Sequence, residues 1–95
     1  MSKRSIIFSP HAQKRLEDIA DYLYRQQLSK AFIRDYIDRI ESWLEMVLGQ
    51  FPDSGRPIPE YGDDIRRIVY REYSFIYRNM DDNIEILTVY RENKP

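Results

Sequence analysis

The spacing of apolar residues changes twice along this chain, and each change marks a different kind of element. Ala12, Leu16, Ile19, Ala20 and Leu23 recur at helical spacing, with Lys14, Arg15, Glu17, Asp18 and Asp21 on the solvent side. Ser9-Pro10 opens that helix with a capping hydroxyl and a proline suited to the first helical position. The periodicity ends near Gln26-Gln27. A second helix is expected from Ser29 to Leu48, with Ile33, Tyr36, Ile37, Ile40, Trp43, Leu44, Val47 and Leu48 on a broad apolar face and Gly49 as its stop. With so short a break between them, the two helices should pack as an antiparallel hairpin.

Beyond residue 64 the pattern becomes strand-like. Ile65 to Tyr70, Tyr73 to Arg78 and Ile84 to Arg91 are rich in β-branched and aromatic residues. They are separated only by Arg71-Glu72 and by Asn79 to Asn83, which predicts an antiparallel meander. Arg4 to Phe8 is a further strand candidate, and the only place for it is on that sheet. Phe51 to Asp64 contains Pro52, Gly55, Pro57, Pro59 and Gly62 and reads as an irregular crossing loop. The order β-α-α-β-β-β predicts a two-layer α+β fold in one domain spanning residues 1–95.

Composition narrows the possible functions. The chain has no cysteine, which excludes disulfides and thiolate metal sites. No apolar run approaches the roughly 20 residues needed to span a bilayer, and Ile6-Ile7-Phe8 is too short for a signal-peptide core. A cytoplasmic protein with no membrane role and no cofactor is expected. The net charge is −1. Non-specific grip on nucleic acid usually rests on a clear positive excess, so contact with nucleic acid should be indirect.

Candidate chemistry is sparse. His11 is the only histidine and lies at a helix N-terminus, where the macrodipole disfavours imidazolium, so a surface role is expected. Asp63-Asp64 and Asp81-Asp82 lack the spaced carboxylates of a metal site and read as turn formers. The arginines Arg66, Arg67, Arg71, Arg78 and Arg91 are the live candidates, because guanidinium forks recognise carboxylates and phosphates. Their alternative role is cross-strand pairing with Glu72, Glu85 or Glu92. Alternation sends Arg66 and Arg67 to opposite faces, so only one of them can face the helices. Tyr24 lies off the first helix's apolar stripe and is a candidate for a partner contact.

Several segments together resemble the ParE/RelE superfamily of bacterial type II toxins, the ParE branch most closely. They are Phe8-Ser9-Pro10 with Ala12, Leu16 to Tyr22, Phe51-Pro52, Gly55-Arg56-Pro57, Ile65 to Ile68, Tyr73, Phe75 to Arg78, and Asp82 to Val89. The resemblance implies a toxin neutralised by a cognate antitoxin, in a hetero-oligomer where the antitoxin wraps the helical hairpin and the sheet. ParE members are described as DNA gyrase poisons, whereas the RelE branch cuts messenger RNA on the ribosome. Part of that second branch places an arginine three residues before the middle-strand tyrosine and a His-Tyr pair at the chain end. Here those positions hold Ser74 and Glu92-Asn93. Cutting RNA requires groups that activate the 2′-hydroxyl and stabilise phosphate charge, and Arg67 alone does not supply them. Gyrase inhibition and growth arrest are therefore expected, with Arg66, Arg67, Arg78 and Arg91 as the polar contact set and Tyr73 nearby. The competing readings are a ribosome-dependent endoribonuclease and a degenerate member that only binds antitoxin.

Overall fold

The computed structural model describes residues 4–91. The elements run β1 (Ser5–Phe8), α1 (Pro10–Arg25), α2 (Lys30–Gln50), β2 (Arg56–Pro57), a 3-10 turn (Pro59–Tyr61), β3 (Ile65–Tyr70), β4 (Tyr73–Asn79) and β5 (Asn83–Arg91). One five-stranded sheet has the order β1-β5-β4-β3-β2. β3, β4 and β5 form the expected antiparallel meander, and β1 joins β5 in parallel. The helical hairpin packs on one face, giving the expected two-layer α+β fold.

Two expectations need correcting. The segment from Phe51 to Asp64 is not wholly irregular: Arg56 and Pro57 pair with Arg67 and Arg66 as an edge strand, and a 3-10 turn follows. Proline is tolerated there because an edge strand leaves one side without ladder bonds. Nor does Gly49 stop α2. It is buried inside the helix, which runs on to Gln50 because the last carbonyls find donors: the Arg4 amide bonds the Gly49 carbonyl at 3.0 Å and the Phe51 amide bonds that of Val47 at 2.8 Å.

Ser9 couples the first helix to the sheet. Its hydroxyl accepts from the Ala12 amide at 3.0 Å, capping α1, and donates to the Leu87 carbonyl at 3.0 Å. That carbonyl needs a partner because the β4–β5 register slips between Ile76 and Tyr77, pairing Thr88 and then Ile86 and skipping Leu87. The bulge has a clear purpose. Ile84 and Ile86 face the helices at even positions while Val89 does so at an odd one, and one extra residue keeps all three fully buried.

The core joins Ala12, Ile40, Leu44 and Leu48 from the helices to Tyr73, Phe75, Tyr77, Ile84, Ile86 and Val89 from the sheet. All the buried residues of α2 lie between Ile40 and Gly49; Lys30 to Arg39 contribute none. Trp43 is half-buried and stacks on Tyr70, with ring centroids 4.5 Å apart. Tyr36 meets Tyr73 edge-on, and Arg71, at the β3–β4 turn with φ 57°, lies over the rings of Tyr36 and Tyr70.

Just past the C-terminal end of α2, the loop is pinned to the sheet. The Tyr77 hydroxyl is buried among helix-facing residues; it donates to the Pro52 carbonyl at 2.8 Å and accepts from the Gly55 amide at 3.0 Å. Burial pushes its phenol above the ordinary range, with the Gly55 amide and Arg66 opposing. Gly55 is required by close approach: a Cβ there would sit 2.6 Å from the Tyr77 oxygen and 2.8 Å from the Arg67 carbonyl. Asn79 adds a bond to Asp53 at 2.8 Å and itself accepts from Arg4.

Candidate functional site

Pairing across the sheet sorts the arginines. Ile68 and Tyr70 pair with Phe75 and Tyr73 on the helix side, so Arg66 belongs to that face, and Arg67, opposite Ile76, belongs to the open face. Arg78 pairs with Ile65 on the same open face. The expected single set of Arg66, Arg67, Arg78 and Arg91, with Tyr73 nearby, therefore divides into three places.

Arg66 is taken up by the pinned loop. Its guanidinium bonds the carbonyls of Gly55 at 2.7 Å and Asp53 at 3.1 Å, with the Asp53 carboxylate 3.7 Å away. It holds the fold together at this end. Arg91 and Tyr73 pair at the opposite end of the sheet, on the helix side. Arg91 bonds Glu72 at 3.0 Å and lies over the Tyr22 ring. Tyr73 is only 4% exposed. Burial first, then the Tyr36 hydroxyl at 3.5 Å, raises its phenol well above the usual range.

Arg67 and Arg78 remain together on the open face. Arg67 donates to the Ser74 hydroxyl at 3.2 Å, and Arg78 stands 3.7 Å from both Asp64 and Glu85. Beside Arg78 lies a cradle of about 540 Å³ with Ile65, Ile76 and Leu87 as floor and Tyr61 and Tyr90 at its rim. Ile65 and Ile76 are buried although no helix covers this face, which shows how closely the rim residues close over them. The cross-strand role is also present, in Arg78 with Glu85 and Arg91 with Glu72. Glu92, like Asn93, lies outside the described residues. Chemically this face offers fixed guanidinium donors and aromatic rims to an anionic or mixed surface.

The second site is at the hairpin tip. Tyr24 is 61% exposed, off the stripe as the sequence suggested. It borders a groove of about 410 Å³ between the helices, floored by Ala20, Ile33 and Ile37. Sequence reasoning placed Ile33 and Ile37 on the apolar face of α2 without separating them from Ile40 and Leu44, and it did not single out Tyr61 or Tyr90. Burial alone separates these residues from their neighbours of the same type. His11 is exposed and its ring nitrogen lies 3.0 Å from the Thr88 hydroxyl. Among the described residues no three His, Cys, Asp or Glu side chains gather as a metal site, and no helix is long and apolar enough to cross a membrane.

A sequence model of the family described as the ParE toxin of type II toxin–antitoxin systems matches residues 6–94. No curated protein matches the chain. Among solved structures, the chromosomal ParDE toxin–antitoxin system from P. aeruginosa aligns with TM-score 0.73 at 19% identity, covering 96% of this chain and 98% of that one. The RelBE2 toxin–antitoxin complex from Mycobacterium tuberculosis aligns with TM-score 0.61 at 16% identity, covering 95% and 99%. These structural likenesses are likenesses of fold.

Proposed function

Because this chain belongs to the ParE toxin family of type II toxin–antitoxin systems, we propose that it is the toxic member of such a pair and inhibits DNA gyrase by binding it. A cognate antitoxin holds it inactive in a hetero-oligomer, with the groove at the hairpin tip as part of the antitoxin's seat. Arg67 and Arg78 on the open face make the polar contacts to the target, and nucleic acid is engaged only through gyrase.

The observation that carries this reading is Ser74. It stands where the resemblance to RNA-cutting relatives calls for an arginine, and it is fully buried with its hydroxyl under Arg67. The arginine of that pattern is therefore missing, and Arg67 donates to the Ser74 hydroxyl. Binding without bond cleavage suits such a face. The second reading, ribosome-dependent messenger RNA cleavage, rests on the resemblance to the RelE branch, in which Arg67 matches a basic position.

Inducing the chain alone in a bacterial host tests both. Growth arrest with trapped gyrase–DNA complexes is the expected result. Arrest with intact supercoiling and cleaved messenger RNA would transfer the protein to the nuclease reading, and absence of arrest would leave a member that only binds antitoxin.

A further inference from the structure

The open face of the sheet is not uniform, and the strand register gives the order of its parts. One row sets Ile65, Arg78 and Glu85 side by side, the next Arg67, Ile76 and Thr88, and the third Val69, Ser74 and Tyr90. From the first row to the third is about 13 Å along β3. The cradle beside Arg78 reaches all three rows, with Tyr61 at its rim. Its floor owes one residue to the bulge in β5, which leaves Leu87 without a cross-strand partner and gives it to the cradle.

Charge follows the same rows. In the first, Arg78 stands 3.7 Å from both Asp64 and Glu85, so one guanidinium faces two carboxylates. Glu60, beside Tyr61 in sequence, and Asp63, beside Asp64, are exposed as well. The middle row is basic at its β2 end, where Arg56 pairs with Arg67. Arg67 donates to the Ser74 hydroxyl in the third row, so its guanidinium leans away from Arg78. The Thr88 hydroxyl is met by the His11 ring at 3.0 Å. The cradle thus joins an aliphatic floor of Ile65, Ile76 and Leu87 to a rim with surplus negative charge at its Arg78 end.

We propose that the cradle takes a single branched apolar side chain from a loop of the target protein, with a lysine or arginine beside it that meets Asp64 and Glu85. The proposal rests on the reading of this face as the target-binding surface and names what the target must present. Burial of the apolar side chain supplies attraction, and the acidic rim supplies orientation. Arg78, held between the two carboxylates, keeps donors for the loop's carbonyls. Tyrosine rims also suit a nucleobase, but a nucleobase brings a phosphate, and phosphate at the Arg78 end meets two carboxylates for one guanidinium. Two copies of this chain set cradle to cradle would leave both floors unfilled. A head-to-tail contact would instead build an open chain of copies.

The probes are three capped pentapeptides and a thymidine dinucleotide. The peptides are Gly-Lys-Leu-Lys-Gly, the same with alanine at its centre, and Gly-Glu-Leu-Glu-Gly. Each is titrated into the full chain while the methyl signals of Ile65, Ile76 and Leu87 are followed. The lysine-flanked leucine peptide should shift them and bind about tenfold more tightly than its alanine form, the gain from burying a branched side chain. It should bind about fivefold more tightly than the glutamate-flanked form, and Asp64→Asn/Glu85→Gln should erase that preference. Tyr61→Ala, at a residue 67% exposed and so harmless to the core, should weaken the leucine peptide too. Equal affinities of the leucine and alanine peptides, tighter binding of the glutamate form, or shifts produced by the dinucleotide rather than the peptides would each overturn the proposal. So would no shift with any probe, or signals that move with chain concentration alone. Gyrase supercoiling is measured beside the titrations. Inhibition without the peptide preference removes the anchor and leaves the gyrase reading, whereas the preference without inhibition removes that reading and leaves the cradle.

Discussion

The two halves of α2 carry the same apolar pattern and are used differently. From Ile40 to Gly49 the stripe is buried against β4, β5 and β1, while from Lys30 to Arg39 nothing is fully buried. Nearer the hairpin tip only Tyr36 and Ile37 still pack against the core, and both are half-buried. The overhanging half is left with a groove, an exposed Tyr24 and unpaired charges. One element can thus supply both buried core and exposed groove.

That comparison is easiest to break at the buried half. Leu44→Ala, at a position with no exposure, should cost about 3 kcal/mol and lower the thermal midpoint by more than ten degrees. A small shift would mean that the core lies elsewhere. Gly55→Ala should cost nearly as much, about 2–3 kcal/mol, because the added methyl meets the Tyr77 oxygen and the Arg67 carbonyl. Urea unfolding measures it. Tyr77→Phe leaves the Pro52 carbonyl and the Gly55 amide without their partner, a loss of about 1–3 kcal/mol.

Tyr77 also sets a pH dependence. Its folded phenol titrates above the unfolded one, so the unfolded chain releases this proton first as pH rises. The corresponding stability is complete below about pH 10 and declines above it. Tyr77→Phe should flatten that alkaline decline in a series of urea melts. An unchanged slope would place the effect in Tyr73, which is shifted the same way.

The overhanging half should respond in the opposite sense. Ile37→Ala is expected to cost less than about 1 kcal/mol in stability, since the side chain is only half-buried. In a co-purification assay it should nevertheless weaken retention of the cognate antitoxin about tenfold. Severe destabilisation without loss of partner would reverse the assignment of the two halves.

Much of this fold is legible in the sequence, and the parts that are not have identifiable physical reasons. The cap at Ser9, the helical spacing of apolar residues and the alternation from Ile65 onward located the elements, because each depends on local chemistry. The overhang is invisible, because Ile33 and Ile37 continue the same stripe as Ile40 and Leu44. Only what packs opposite them in the fold distinguishes them. The pinned loop is half-visible: a tyrosine facing inward needs a hydroxyl partner, but the partner is backbone 25 residues away in sequence. Alternation separated Arg66 from Arg67. Which of the two the loop engages depended on Gly55 and Asp53 reaching across to Arg66.

Under the proposed function the two surfaces divide the labour, the open sheet face acting on gyrase and the hairpin tip receiving the antitoxin. A supercoiling titration with the purified chain and its Arg67→Ala/Arg78→Ala variant tests it most directly. Inhibition by the parent is expected, with at least a tenfold weaker effect for the variant and the melting curve of the fold retained. Equal potency of the two, or supercoiling untouched by the parent at any excess, would contradict it.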